Sequence, residues 1–180
     1  MSQPPLSSRP SVASAVADWL DAFIDAVGRW TAWCGLAMVL LIACSVILRY
    51  MFRIGPVWMQ ELEWHLMSPI ALIGSAYAMR HNEHVRVELL YEKFGPNARA
   101  WVDLMAALTM LVLAVVIAKL SLVMVEQSFT SGETSTDPGG LPYRYLLKAF
   151  IPVGFILIAL QSIAHSIRSA IRIGLERGRG

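Results

Sequence analysis

Charge is scarce in this chain. Asp, Glu, Lys and Arg make up 16% of its 180 residues, and apolar residues make up 56%. Soluble domains hold about a quarter charged residues. Mean hydropathy is +0.55. That balance excludes an ordinary soluble enzyme and a disordered tail. It also excludes a nucleic-acid-binding module, which concentrates its Lys and Arg on one face. Formal net charge is only +2, so the placement of the charges says more than their number. Cysteine is nearly absent: Cys34 and Cys44 stand in one apolar run. On a helix they are about 15 Å apart, too far to form a disulfide with each other. No CxxC pair or Cys/His zinc spacing occurs, so packing is the expected role of both thiols.

Long uncharged runs are what the chain does have. Trp30 to Leu48 and Ala149 to Ile167 are each 19 residues without a charge, about 29 Å at helical rise and close to the thickness of a bilayer's hydrocarbon core. Between them lie Trp64 to Met79, 16 residues, and Leu104 to Ala118, 15 residues. Trp64 and Tyr77 suit the membrane interface, and Lys119 can snorkel from a third span that continues to Val125. Four transmembrane helices are expected. With the N-terminus inside, ten Lys and Arg residues fall on the inner side and five on the outer. The positive-inside rule therefore puts both termini in the cytoplasm. Leu41-Ile42-Ala43-Cys44 looks like a lipoprotein cleavage box. The segment before it is long and carries three aspartates, unlike a short basic leader, so an uncleaved span is expected.

Ahead of the first span, Val12, Val16, Trp19, Leu20, Phe23 and Val27 recur at helical steps, with Asp18, Asp21 and Asp25 on the opposite face. This predicts an amphipathic helix, with Ser11 as its N-cap. Anionic lipid would repel its acidic face, which favours a protein contact. Three prolines with nearby serines make residues 1–10 a disordered tail. The expected organisation is an all-α integral membrane protein: four transmembrane helices, a short interfacial helix after the first, and an amphipathic N-terminal helix. Residues 11–172 form one membrane domain and 173–180 a basic tail.

No Asp, Glu, Lys or Arg falls within the four uncharged runs, whereas transporters and pumps show their chemistry as ionisable residues inside the membrane. The small four-helix exporters need such an acid. This chain is therefore expected to partner a transporter rather than to be one. Small residues at helical spacing support helix packing, within the chain or with another subunit: Ser68, Ala71, Ser75 and Ala78 in the second span, and Gly28, Ala32 and Gly35 in the first. In the first loop, Trp58, Glu61 and His65 share a helix face, and Arg49 or Arg53 offers Glu61 a cation. His81 and His84 lack a third clear ligand, so no metal is expected. The third loop, Glu126 to Lys148, is rich in Ser, Thr and Gly as far as Gly140 and shows no catalytic pattern.

Several loop motifs have a known order: Arg49-Tyr50-x-Phe52, then Trp58-x-x-Glu61-Leu62, then His84-Val85-Arg86-Val87, followed by Leu141-Pro142 and Pro152-x-Gly154. In this order between four spans the chain resembles, over about residues 28–168, the small membrane subunit of tripartite ATP-independent periplasmic (TRAP) transporters, the DctQ-like family. Glu88 stands where that family more often has Asp, which keeps the charge. The resemblance implies a non-enzymatic accessory subunit of the bacterial inner membrane, without cofactor. It would pair with a large permease subunit that holds the substrate and ion sites and moves as an elevator. A periplasmic binding protein would deliver organic acids, with uptake driven by an ion gradient. Carried over, it makes Arg49, Tyr50, Phe52, Trp58, Glu61, His84 and Arg86 candidates for subunit or structural contacts, alongside Ser68, Ala71, Ser75 and Ala78. Arg49 and Glu61 are expected to pair at the periplasmic end, and His84 to make a contact at the cytoplasmic end of the second span.

Two other readings compete. In a haem-binding membrane anchor, histidines on different helices ligate the iron. However, His65 enters the second span from outside and His165 ends the fourth inside. A self-contained channel or exporter is the other, and it lacks a buried charge.

Overall fold

The computed structural model describes residues 12–81 and 94–177. The proposed tail at 1–10, together with His84, Arg86 and Glu88, lies outside the described residues. All regular structure among the described residues is helical: α1 (Val12–Phe52), α2 (Val57–Arg80), α3 (Pro96–Thr130) and α4 (Arg144–Arg177). Each of the four uncharged runs lies inside one of them. Three segments are long and apolar enough to cross a membrane: Val12–Phe52, Ala98–Thr130 and Arg144–Leu175.

The boundaries differ from the expectation in two places. The amphipathic stretch before the first span is not a separate helix. No proline and no glycine pair interrupts residues 12–52, so the stretch and the span form one helix of 41 residues, about 61 Å long. Likewise, Trp58 to Glu63 form the opening turns of α2 rather than a short helix of their own. Both joints have local causes. Arg53 adopts a left-handed φ of 56°, and the Ile54 N–H returns to the Leu48 carbonyl at 3.2 Å, which closes α1. Pro56, extended at φ −68° and ψ 135°, then caps α2. At the far end, α4 runs through residue 172 to Arg177.

α4 is the hub. It packs against α1, α2 and most extensively α3, whereas α1 and α2 pack on each other and make no extended contact with α3. The α3 seam follows from its sequence. Ala100, Ala107, Ala114, Ser121 and Ser128 recur every seven residues and are all buried, with Asp103 and Ala118 beside them. A heptad of small side chains turns one face to a neighbour and lets two backbones come close. Ser121 returns its hydroxyl proton to the Ile117 carbonyl at 2.7 Å, so the polar atom is satisfied within the helix. The central apolar cluster joins Ile24 of α1, Ala76 and Met79 of α2, Ala114 of α3, and Leu157 and Ile158 of α4.

Two glycines permit the other close approaches. Gly28 of α1 lies under the Tyr77 ring, where a Cβ would come within 2.7 Å of Cγ. Gly154 of α4 sits on α2, where a Cβ would be 2.7 Å from the Leu72 Cβ and 3.0 Å from its carbonyl oxygen. Outward, α1 exposes Trp30, Trp33, Leu36, Val39, Leu40 and Ile47, and α3 exposes a similar array. Water would penalise so large an apolar surface; lipid does not.

Gly154→Val is expected to destabilise the fold by about 1–3 kcal/mol, the usual cost of overpacking, seen as a lower thermal midpoint in detergent. Gly74→Val, where a Cβ meets nothing within 4 Å, serves as control. Equal midpoints for the two variants would remove the α2–α4 close contact from the account.

Candidate functional site

The ion-paired side chains gather toward the two ends of the bundle. At the α1–α2 turn, Pro56 starts α2 and places Glu61 one turn in, facing the loop between α3 and α4. Its side chain is buried, with the residue 3% exposed. The Ser135 hydroxyl donates a short hydrogen bond to Glu61 Oε1, and the Leu141 N–H donates to Oε2 at 2.5 Å. The Arg144 guanidinium lies 3.8 Å away. Gly140 keeps this cradle open, because a Cβ there would lie 2.8 Å from Glu61 Oε1. The loop wraps to suit: Ser135 N–H bonds the Leu141 carbonyl at 3.3 Å, Gly140 N–H bonds the Asp137 carbonyl at 3.0 Å, and Gly139 supplies a φ of 80°.

A second carboxylate ties the base of the same loop. Glu133 accepts from the Ser128 hydroxyl at 2.6 Å and from the Lys148 ammonium. Its carbonyl takes the Arg144 N–H at 3.2 Å. Glu61 and Glu133 lie outside the apolar stretches. Both are held below the usual carboxylate range, Glu61 by the Ser135 hydroxyl and then the Leu141 N–H, and Glu133 by Lys148 and then Ser128. Hydrogen bonds to the ionised form favour it.

Glu61 therefore does not pair with Arg49. Successive helix residues turn by about 100°, so Glu61 faces the α3–α4 loop while Gln60 and Glu63 face α1. Arg49 lines an open groove of about 330 Å³ on that other side with Ile42, Ser45, Val46, Gln60, Glu63 and Trp64. Tyr50, Phe52 and Trp58 are exposed around the same turn. His65 donates from Nδ1 to the Glu61 carbonyl at 2.7 Å and stands at this end of the bundle. His165 stands near the other, three residues before Arg168, so the fold does not bring the two imidazoles together. No cluster of three or more potential metal ligands occurs among the described residues.

At the opposite end the acidic face of α1 meets cations from within the chain. Asp21, 3% exposed, takes an ion pair from Arg168, the Arg80 Nε at 3.4 Å and the Gln161 amide at 3.0 Å. Asp18 pairs with Arg168 at 2.9 Å. Asp25 faces His81 at 3.1 Å and Arg80 at 3.7 Å. Asp103 of α3 lies 3.9 Å from Arg172. The sequence favoured a protein contact for Asp18, Asp21 and Asp25; within the chain, Arg80, His81 and Arg168 supply one. The small stripe of α2 is not used this way. Ala71 and Ser75 are exposed and Ser68 and Ala78 half-buried, and the Ser68 and Ser75 hydroxyls return to their own helix. In α1, Gly28 is used against Tyr77, while Ala32 is exposed and Gly35 meets open space.

Residues 38–172 match the family model described as "Tripartite ATP-independent periplasmic transporters, DctQ component". The chain is also 30% identical over 122 residues to a TRAP transporter small permease protein of Haemophilus influenzae, covering 67% of this chain and 76% of that one. The matched segment takes in the Glu61 cradle and all four residues paired with the α1 aspartates, Arg80, His81, Gln161 and Arg168, but not the aspartates themselves.

Two predictions follow from these ends. Because the folded state lowers the Glu61 pKa, the carboxylate's support for the loop is complete above its ordinary value near 4.5. That support is lost only as pH falls through the depressed value. The Leu141 amide should stay protected from hydrogen exchange down to the lower end of the carboxylate range, and Glu61→Gln should reduce that protection at neutral pH; equal protection in the variant would count against the cradle. At the other end, Asp21→Ala should cost about 1–3 kcal/mol, because it strands partly buried donors. Asp18→Ala, at a side chain 71% exposed, should cost under about 1 kcal/mol. Thermal unfolding of the two variants checks the order.

Proposed function

The chain belongs to the DctQ component family of tripartite ATP-independent periplasmic transporters, and from that membership we propose that it serves as the fixed scaffold beside a large permease subunit. The observation that carries this reading is where the ionisable groups stand. Asp18, Asp21, Asp25, Asp103, Glu61 and Glu133 are tied to cations of the same chain toward the two ends, and among the described residues the apolar middle of the bundle offers no carboxylate or guanidinium to a passing solute. A subunit built this way braces and does not carry. The large subunit holds the substrate and ion sites, a periplasmic binding protein delivers the substrate, and an ion gradient drives uptake of an organic acid. No cofactor takes part.

In this reading α2 crosses the inner membrane as well, making four spans with both termini in the cytoplasm. Trp101 and Phe129 of α3 stand 28 residues apart, about 42 Å, which matches a bilayer with its headgroups. The Glu61 end is then periplasmic. Arg49, Tyr50, Phe52 and Trp58 form the exposed rim available to the large subunit or the binding protein. His84 and Arg86 stand on the cytoplasmic side. Ser68, Ala71, Ser75 and Ala78 give α2 a flat outer face for another helix. Glu61 acts by holding the α3–α4 loop in shape for its partners.

Reconstitution in liposomes tests this reading. The chain alone should move no organic acid, and uptake should need the large subunit, the binding protein and this chain together. Glu61→Ala should weaken co-purification of the large subunit. Full-rate uptake without this chain, or transport by this chain alone, would overturn the scaffold role.

A further inference from the structure

α3 is covered on one side only. Its small-residue heptad faces α4, and α1 and α2 make no extended contact with it. On the other side Leu108, Val112, Val115, Val116, Leu122 and Val123 are 41–62% exposed. In that stripe stands Lys119, also exposed, with no hydrogen bond or ion pair to any described residue. Its helical neighbours one turn away on either side are Val115, Val116, Leu122 and Val123, none of which can pair with it. Glu126 is two turns off.

The depth of Lys119 makes that isolation informative. Uncharged but for Lys119, residues 104–125 span about 33 Å, one hydrocarbon thickness. Lys119 lies about 24 Å beyond Asp103 and about 10 Å short of Glu126. Side chains on a helix lean toward its N-terminus. From this position that direction leads toward the hydrocarbon centre, away from the nearer surface. Snorkelling works against this geometry, and lipid headgroups lie a further two turns away. An ammonium held at such depth calls for a buried counter-charge.

We propose that the outer face of α3 is where the large membrane subunit packs, and that Lys119 pairs there with a carboxylate on one of that subunit's membrane helices. The inference rests on the assembly described under Proposed function and adds the face and the contact. The valine and leucine stripe supplies close van der Waals packing, and the ion pair sets register and depth between the two subunits. Because Lys119 has no hydrogen bond or ion pair to a described residue of its own chain, the contact is dispensable for this chain's fold.

The test is co-expression of the tagged chain with the large subunit and recovery of both in mild detergent. Lys119→Leu and Lys119→Glu should each lower recovery of the large subunit at least tenfold, and Lys119→Arg should hold it within twofold. The thermal midpoint of the purified small chain should be unchanged in all three. Wild-type recovery of the large subunit by Lys119→Leu would overturn the contact. Failure of the unsubstituted chain to recover the large subunit would overturn the assembly reading and this inference with it, and that result is visible in the unsubstituted sample alone.

Discussion

A helix in hydrocarbon gains nothing by hiding its leucines from lipid, so the attraction between these helices has to come from close contact and from charge pairing. That constraint accounts for what is buried. The α3 seam is alanine and serine at intervals of seven, and the approaches of α4 to α2 and of α2 to α1 run over Gly154 and Gly28. Many bulky side chains are left outside, where Trp30, Trp33, Val112 and Leu120 meet what surrounds the protein. α4 has small or polar residues on several faces, and this lets one helix serve three neighbours.

Charge does the rest of the work at the bundle's ends, where water and headgroups keep the cost of desolvation down. Asp21 gathers a residue from the end of α2 and two from α4. Glu61 gathers a hydroxyl, an amide and a guanidinium from one loop and the helix that follows it. Each carboxylate is a joint between elements that the chain separates by 59 to 147 residues in the one case and by 74 to 83 in the other. The three longest helices exceed what a bilayer needs, and the excess turns of α1 and α4 carry Asp21 and Arg168 beyond the uncharged runs.

The same arrangement limits what the protein does. Groups already committed to one another at the ends are not free for transfer chemistry, and the middle has almost none to offer. In a transporter family this fits a division of labour in which one subunit holds still while another moves. Lys119 is the exception in the apolar zone of α3, and its exposure directs attention outward, to a neighbour.

Hydropathy is a local property, and the four helices were legible from it. The four uncharged runs each lie in a helix because length and composition suffice to make an apolar stretch helical when its backbone cannot bond to water. The regular spacing of Asp18, Asp21 and Asp25 likewise announced a polar contact. Helix continuity was harder to read, since a change from amphipathic to fully apolar pattern near Gly28 resembles a boundary although nothing there breaks the hydrogen-bond ladder. Which partner each charge takes was not legible. Arg49 and Arg53 were the nearest cations to Glu61 along the chain, yet a 100° turn per residue directs Glu61 to Ser135, Leu141 and Arg144. What residue order settled alone was which stretches prefer lipid and become helices; which helix became the hub, and which ion pairs close the ends, depended on packing among residues far apart in sequence, because pairing energies depend on distance in space and spacing along a chain does not report it.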